Sequence, residues 1–285
     1  MMKTLIIGAK GMLGHYLNRV YDEAKHEVHC WDFEEIDITK REEVFEKIKK
    51  LDPDFIINAA AYNAVDKAEE PEEFKKAKAV NCEGPKNLAE IAKEINAVFA
   101  TYTSDYVFAG DKPEGYSEKD STDPINNYGI SKAMGEKAVT EVGGNFFIIR
   151  TSKLFGKEGD SPQAKKSFVS LMRELGETKP EIMAVDEEMS CFTYTKDLAY
   201  ATRFLLESNK ESGIYHLVNE GPCTWYGCAK KIFEILGNNK ISLKPVPASQ
   251  FPRPAKRPAH SILLNTKLQP LRPFEEALEE FLKEG

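Results

Sequence analysis

The stretch Thr4-Leu5-Ile6-Ile7-Gly8-Ala9-Lys10-Gly11-Met12-Leu13-Gly14 decides how this chain folds. Thr4 to Ile7 is a short apolar run rich in β-branched side chains and reads as a buried strand. Glycines at 8, 11 and 14 follow at once, and a helical pattern continues through Val20. Strand, glycine turn and helix in that order form the context in which the phosphates of a dinucleotide are held. Gly8 makes the tight turn, Gly11 lets the backbone approach a pyrophosphate, and Gly14 lets helix and strand pack closely. The helix N-terminus then faces the phosphates. The spacing is G-x-x-G-x-x-G rather than G-x-G-x-x-G, so a glycine turn without a ligand stays open as an alternative. A second strand, Glu27-Val28-His29-Cys30-Trp31, ends at Asp32, eighteen residues beyond Gly14. An acid near that position accepts from a ribose 2′-OH; a turn or helix cap is the other reading of Asp32.

Outward from this start the alternation continues. A helix near 41–50 is followed by Pro53 and the strand Phe55-Ile56-Ile57, then by a charged helical stretch over 71–95 and a strand over 98–102. A loop from 109 to 127 leads into a helix from Tyr128 to near 141, and Phe146 to Arg150 form another strand. Strands alternating with helices predict an α/β fold with a doubly wound parallel sheet. Beyond residue 151 the regularity weakens, and helices near 165–176, 195–208, 225–236 and 273–283 are joined by Pro-rich segments. The expected organisation is a Rossmann domain over 1–150 and a smaller, mainly substrate-binding region over 151–285.

Two further runs carry chemistry: Thr103-Ser104-Asp105-Tyr106 and Tyr128-Gly129-Ile130-Ser131-Lys132. Ser104 lies just past a strand's C-terminal end, where open α/β sheets place their ligands. Tyr128 and Lys132 are four apart and share a helix face. An ammonium beside a phenol favours the phenolate and lowers its pKa, which makes the phenol usable as a general acid near neutral pH. A ketone accepting hydride develops negative charge on its oxygen. Tyr128 is suited to protonate that oxygen and Ser104 to orient it. Taken alone, Tyr-x-x-x-Lys is equally an ordinary surface pair.

Several other runs complete the picture: Asp37-Ile38-Thr39, Ala59-Ala60-Ala61-Tyr62-Asn63-Ala64-Val65-Asp66-Lys67-Ala68-Glu69, Val80-Asn81-Cys82-Glu83-Gly84, Thr193 to Ala199, and Arg253-Pro254-Ala255-Lys256-Arg257-Pro258. With them the chain resembles, almost end to end, the extended short-chain dehydrogenase/reductases, and within these the dTDP-4-dehydrorhamnose reductases. The resemblance implies NADH- or NADPH-dependent reduction of the 4-keto group of a nucleotide-activated deoxysugar, in the making of dTDP-L-rhamnose for surface polysaccharide. It implies Ser104, Tyr128 and Lys132 as the catalytic set, with Lys132 also holding the nicotinamide ribose, and Asp105 as a substrate contact. It further implies a cofactor site lined by Gly8, Gly11, Met12, Leu13, Gly14, Asp32, Asp37, Ile38, Ala61, Tyr62, Asn63 and Tyr102, closed by Tyr128 and Lys132.

The chain also departs from that family. Where the family carries a Trp against the sugar, the sequence reads Arg150-Thr151-Ser152-Lys153. Lys153 is either solvated at a pocket rim or aimed at a carboxylate, phosphate or extra hydroxyl of a different sugar. The run Asp186 to Thr193 lacks the family's Gly and Pro, so this loop is expected to take another path. His15 stands where some members place an acidic metal ligand, so no metal is expected. Lys10 could meet a 2′-phosphate, but Asp32 would repel one, which favours NADH. Two other readings stay open: a reductase of another nucleotide-activated keto sugar, and a non-catalytic subunit like the regulatory subunit of methionine adenosyltransferase. The complete Ser104, Tyr128 and Lys132 set speaks against the second.

A net charge of −7 over 285 residues argues against nucleic-acid or anionic-membrane surfaces as partners. No apolar run reaches the roughly 18 residues of a membrane span. The first residues enter a strand without a signal-peptide pattern, and five cysteines without a C-x-x-C pair suit a reducing compartment. A cytoplasmic enzyme acting on a nucleotide sugar, with a homodimer left open, is the expectation.

Overall fold

The computed structural model describes residues 1–161 and 165–284. The N-terminal half alternates strictly: β1 (Lys3–Ile7), α1 (Met12–Glu23), β2 (Glu27–Trp31), α2 (Arg41–Leu51), β3 (Phe55–Asn58), α3 (Pro71–Lys78), α4 (Gly84–Glu94), β4 (Val98–Ser104), α5 (Asn127–Val142) and β5 (Phe146–Thr151). The remainder is less regular: β6 (Leu154–Phe155), α6 (Phe168–Thr178), β7 (Glu181–Val185), β8 (Thr193–Tyr194), α7 (Thr195–Glu207), β9 (Gly213–His216), β10 (Asn219–Glu220), α8 (Trp225–Ile235), β11 (Ser242–Val246), β12 (Leu271–Pro273) and α9 (Phe274–Glu284).

The central sheet has six strands in the order β2-β1-β3-β4-β5-β9, every pair parallel. Side chains on a strand alternate between faces, and here both faces are buried. Leu5 and Ile7 enter one apolar cluster, with Val44, Ile48 and Leu88 of α2 and α4. Ile6 enters the other, with Leu17 and Val20 of α1 and Leu198 of α7. Helices therefore cover both faces, as a doubly wound sheet requires. The sixth strand, β9, comes from beyond residue 151, so the two expected regions interleave in sequence. The small parallel pair β7 and β11 and helices α6, α8 and α9 build the C-terminal region around the second of these clusters, that of Ile6.

The sequence pattern over 71–95 reads as one helix, and the structure divides it. A π-helical turn over Ala79–Glu83 separates α3 from α4. Pro85 explains the break, because it has no N–H to return to the Asn81 carbonyl one turn back. Strand order reverses between β1 and β3, and ligands of open α/β sheets bind outside the strands' C-terminal ends at such a point. All strands being parallel, Gly8, Asp32, Ser104 and Thr151 come out on that one edge.

Candidate active site

The glycine turn follows β1 directly. Gly8 adopts φ +79°, and a Cβ there would meet the Ala60 amide nitrogen at 2.6 Å. A Cβ on Gly14 would lie 2.3 Å from the Gly8 carbonyl oxygen, so α1 can sit on β1 only with glycine at 14. Gly11 is the N-cap of α1, with no side chain capping the first N–H groups. A bare helix N-terminus over a glycine turn fits a bound diphosphate.

Asp32 closes the other side of this turn. One carboxylate oxygen accepts from the Lys10 amide at 3.0 Å and the other from the Phe33 amide at 2.9 Å. The Lys10 ammonium pairs with Glu34 at 3.0 Å on the surface. Asp37 folds back on Thr39, whose hydroxyl donates to it at 2.7 Å. Ile38 is buried, and its carbonyl accepts from Asn87 at 2.9 Å. Past β3, the Ala61, Tyr62 and Asn63 loop is held by Asn81. The Asn81 amide oxygen accepts from the Tyr62 N–H at 2.9 Å, and its nitrogen donates to the Ser131 hydroxyl on α5 at 2.9 Å. Asn81, in the π turn, thereby ties the loop to α5. This tie is a contact across 50 residues that no local pattern announces.

Helix α5 begins at Asn126, whose side chain accepts from the Gly129 amide at 2.8 Å, an N-cap bond of the usual kind. Gly129 lets this helix approach the turn after β4, since a Cβ there would stand 2.1 Å from the Tyr106 carbonyl oxygen. That approach brings Tyr128 to Ser104, whose hydroxyl acts to lower the phenol's pKa. The Tyr106 and Tyr128 rings pack edge to face with centroids 5.9 Å apart. Ser104 donates to Asp105 at 2.9 Å, and Asp105 also accepts from Ser261 at 2.6 Å. Ser261, from the C-terminal region, is a further participant that its sequence context does not mark.

Electrostatics at the site depart from the expectation for Tyr128. Burial raises its pKa above the ordinary phenol value, with the Ser104 bond pulling the other way. Lys132 does not lower it, because its ammonium is turned to the Tyr102 carbonyl at 3.2 Å and stands 6.0 Å from the Tyr128 ring centroid. Burial pushes Lys132 itself down to about 8, opposed by the nearby Glu136 carboxylate. The Tyr102 side chain points to α7, where its hydroxyl meets Thr202 at 2.7 Å. Asp105 is raised by burial, against bonds from Ser261 and Ser104 and the charge of Lys153.

Lys153 is not solvated. Its ammonium nitrogen is shut off from solvent and has no hydrogen-bond partner. It lies 3.9 Å from the Trp225 ring centroid and 5.1 Å from that of Phe192, within cation–π range. Its backbone takes φ +40°, a region few non-glycine residues enter. Trp225 donates from its indole nitrogen to Glu188 at 2.8 Å, and Glu188 pairs with Arg253. Glu188 and Arg253, with Phe251, Lys256 and Arg257, line a cavity of about 250 Å³. Arg257 also pairs with Asp66 at 2.8 Å. The run containing these cations was visible in the sequence, but its role as a cavity wall was not.

Comparison with known proteins agrees with this geometry. A family model described as the RmlD substrate binding domain matches residues 2–285. The dTDP-4-dehydrorhamnose reductase of Burkholderia thailandensis is 34% identical, covering 94% of this chain and 92% of its own. A protein of Streptomyces antibioticus described as a probable dTDP-4,6-dihydroxy-2-methyloxan-3-one 4-ketoreductase is also 34% identical, covering 98% and 94%. The crystal structure of dTDP-4-dehydrorhamnose reductase from Bacillus anthracis, in complex with NADP, superposes with a TM-score of 0.93 at 35% identity, covering 100% of this chain and 99% of the other.

Proposed function

The chain belongs to the family of the RmlD substrate binding domain, and from that membership we propose that it reduces the 4-keto group of dTDP-4-dehydrorhamnose with a reduced nicotinamide dinucleotide. The observation that carries this reading is the meeting of Ser104, Tyr128 and Lys132 at the sheet edge that also holds the glycine turn. The dinucleotide, when bound, supplies the hydride that goes to the ketone carbon. Tyr128 gives its proton to the ketone oxygen, which stays on the carbon as a hydroxyl. Its raised pKa keeps it protonated at neutral pH until the oxygen gains charge. The Ser104 hydroxyl donates its one proton to Asp105 in the free site; with substrate bound it would turn that proton to the ketone oxygen and hold it beside Tyr128. Lys132, whose ammonium donates to the Tyr102 carbonyl, is the cation we assign to the ribose.

We assign residues 1–150 to the cofactor and 151–285 mainly to the sugar nucleotide. The Gly8 to Gly14 turn and α1 hold the diphosphate of the cofactor, with Asp32, Asp37, Ile38, Ala61, Tyr62 and Asn63 along its length. In the C-terminal cavity, where Arg253 and Arg257 are paired with Glu188 and Asp66, Lys256 is the cation without an ion pair among the described residues and is offered to the substrate's phosphates. Five free cysteines suit a reducing cytoplasm, and among the described residues no helix is long and apolar enough to cross a membrane. The test is turnover: loss of nicotinamide fluorescence with dTDP-4-dehydrorhamnose and with a panel of other nucleotide-activated 4-keto sugars. Turnover with none of them removes the reading. Faster turnover with another sugar moves the substrate, a reading that the ketoreductase-like relative and Lys153 favour.

Asp32 bears on which dinucleotide is used. Its carboxylate stands at the end of β2 with Glu34 and Glu35 nearby, and Lys10, the nearest cation, is paired to Glu34. A 2′-phosphate would meet net negative charge, so NADH should bind more tightly than NADPH. Asp32→Ala should weaken NADH by about 10-fold, the low end for a hydrogen bond to a charged group, and relatively favour NADPH. Fluorescence titration with both cofactors measures this. An unmutated protein that prefers NADPH shows that the acid does not discriminate.

A further inference from the structure

We propose that Lys153 sets substrate specificity by donating a hydrogen bond from its buried ammonium to a ring hydroxyl of the keto-hexose, an inference that rests on the reductase reading above. A buried charge is costly unless paired or hydrogen-bonded, yet this nitrogen has no hydrogen-bond partner and forms no ion pair among the described residues. The aromatic faces of Trp225 and Phe192 cover part of it, but a ring face leaves N–H donors unused. The hydroxyls of Thr151 on the same strand end and of Thr193 are likewise buried without partners. Thr193 is held against Lys153 by its own backbone, its N–H donating to the Lys153 carbonyl at 3.3 Å. A buried polar atom left unmatched calls for a partner that completes it, such as a ligand group, a water or an ion.

Charge decides what that something is. The carboxylates acting on Lys153 are Asp105 and Glu188, and Arg253 is the ion partner of Glu188. Two cations and two carboxylates leave no net charge for a carboxylate or phosphate to meet, so a neutral acceptor fits better. Position decides which neutral acceptor. Ser104 donates to Asp105, and the register of β4 and β5 sets Ser104 opposite Thr151, two residues before Lys153, whose ammonium has Asp105 as its leading opposite charge. A ketone oxygen held by Ser104 and Tyr128 therefore places neighbouring ring hydroxyls toward Asp105 and Lys153. A carboxylate that accepts and an ammonium that donates together match a vicinal diol. A flat aromatic wall at 153 would offer the sugar ring a face and no donor; Lys153 offers a donor, and its own aromatic wall is supplied by Trp225.

The experiment compares the unmutated protein with Lys153→Met and Lys153→Arg on the nucleotide-activated 4-keto hexose and on two analogues lacking the C2 or the C3 hydroxyl. Lys153→Met should lower kcat/KM on the full substrate by about 10- to 100-fold, the range of hydrogen bonds to charged groups. On one of the two deoxy analogues it should match the unmutated protein. Its thermal midpoint should not fall, since an unpartnered buried charge has been removed, and cofactor titration should be unchanged. Lys153→Arg should keep part of the discrimination. Equal losses on all three sugars, or no loss on any, overturn the role of Lys153 while leaving the reductase reading in place. An unmutated protein that neither reduces nor binds any of these sugars overturns the reductase reading, and the role of Lys153 with it.

Discussion

Tyr128→Phe is expected to slow ketone reduction by about 10²- to 10⁴-fold, the range that a positioned general acid contributes. The substitution removes one hydroxyl and little else. The ring stays edge to face with Tyr106, and the N-cap bond from Asn126 that starts α5 is untouched. The structure changes what the loss means. With Lys132 turned to the Tyr102 carbonyl and burial raising the phenol's pKa, the group removed is a protonated donor and not a stored phenolate. Tyr128 itself should thus contribute no break to the pH–rate profile around neutrality. Cofactor affinity should change little, because the bare N-terminus of α1 and the glycine turn are separate elements. Single-turnover loss of nicotinamide absorbance measures the chemical step directly. Equal turnover by mutant and parent would remove Tyr128 from the mechanism.

What could be read from the chain and what could not divides along the range of the contacts involved. The glycine turn, the strands around it and the helix of Tyr128 are local patterns, each complete within about one element. The strictly parallel sheet followed from their alternation. The strand β9 is not legible because nothing inside Gly213–His216 says that it pairs with β5 across 66 residues. The π turn had a local cause in Pro85, but its use, to point Asn81 at both Tyr62 and Ser131, depends on two distant segments. Lys153 shows the same limit most clearly. Its rim or pocket position was undecided in the sequence because the rings that cover it, Phe192 and Trp225, lie 39 and 72 residues further on. The pKa of Tyr128 was misjudged for a related reason. Helical spacing places Lys132 on the correct face, but the direction of a flexible ammonium is set by the nearest acceptor, here a strand carbonyl.

Glu136→Gln is expected to have two effects that separate under a second substitution. Glu136 lies one turn beyond Lys132 on the same face of α5, and it holds Arg150 of β5 through two bonds, of 3.0 and 2.6 Å. Both side chains are buried, Arg150 at 2% and Glu136 at 6% exposure. Removing one member leaves a buried guanidinium without its counter-charge, which costs about 3–5 kcal/mol and lowers Tm by on the order of 10 °C for a chain of this size. Neutral His216, whose pKa burial and Arg150 push down to about 4, offers little compensation. The second effect is electrostatic. Burial lowers the Lys132 pKa to about 8 and Glu136 opposes that fall. Without Glu136 the ammonium loses its proton at lower pH, so the alkaline limb of the activity profile should move toward neutrality. Lys153, also pushed down to about 8, titrates in the same range in both proteins, so the difference between them isolates Lys132. Pairing Glu136→Gln with Arg150→Met removes the stranded charge and should recover much of the stability, because a buried ion pair replaced whole is often neutral to folding. It should not restore the alkaline limb, since the carboxylate facing Lys132 is still missing. Thermal melts and pH–rate profiles on the parent, the single and the double variant decide the matter. A limb that returns with stability would show that Glu136 acts only by holding β5 and α5 together.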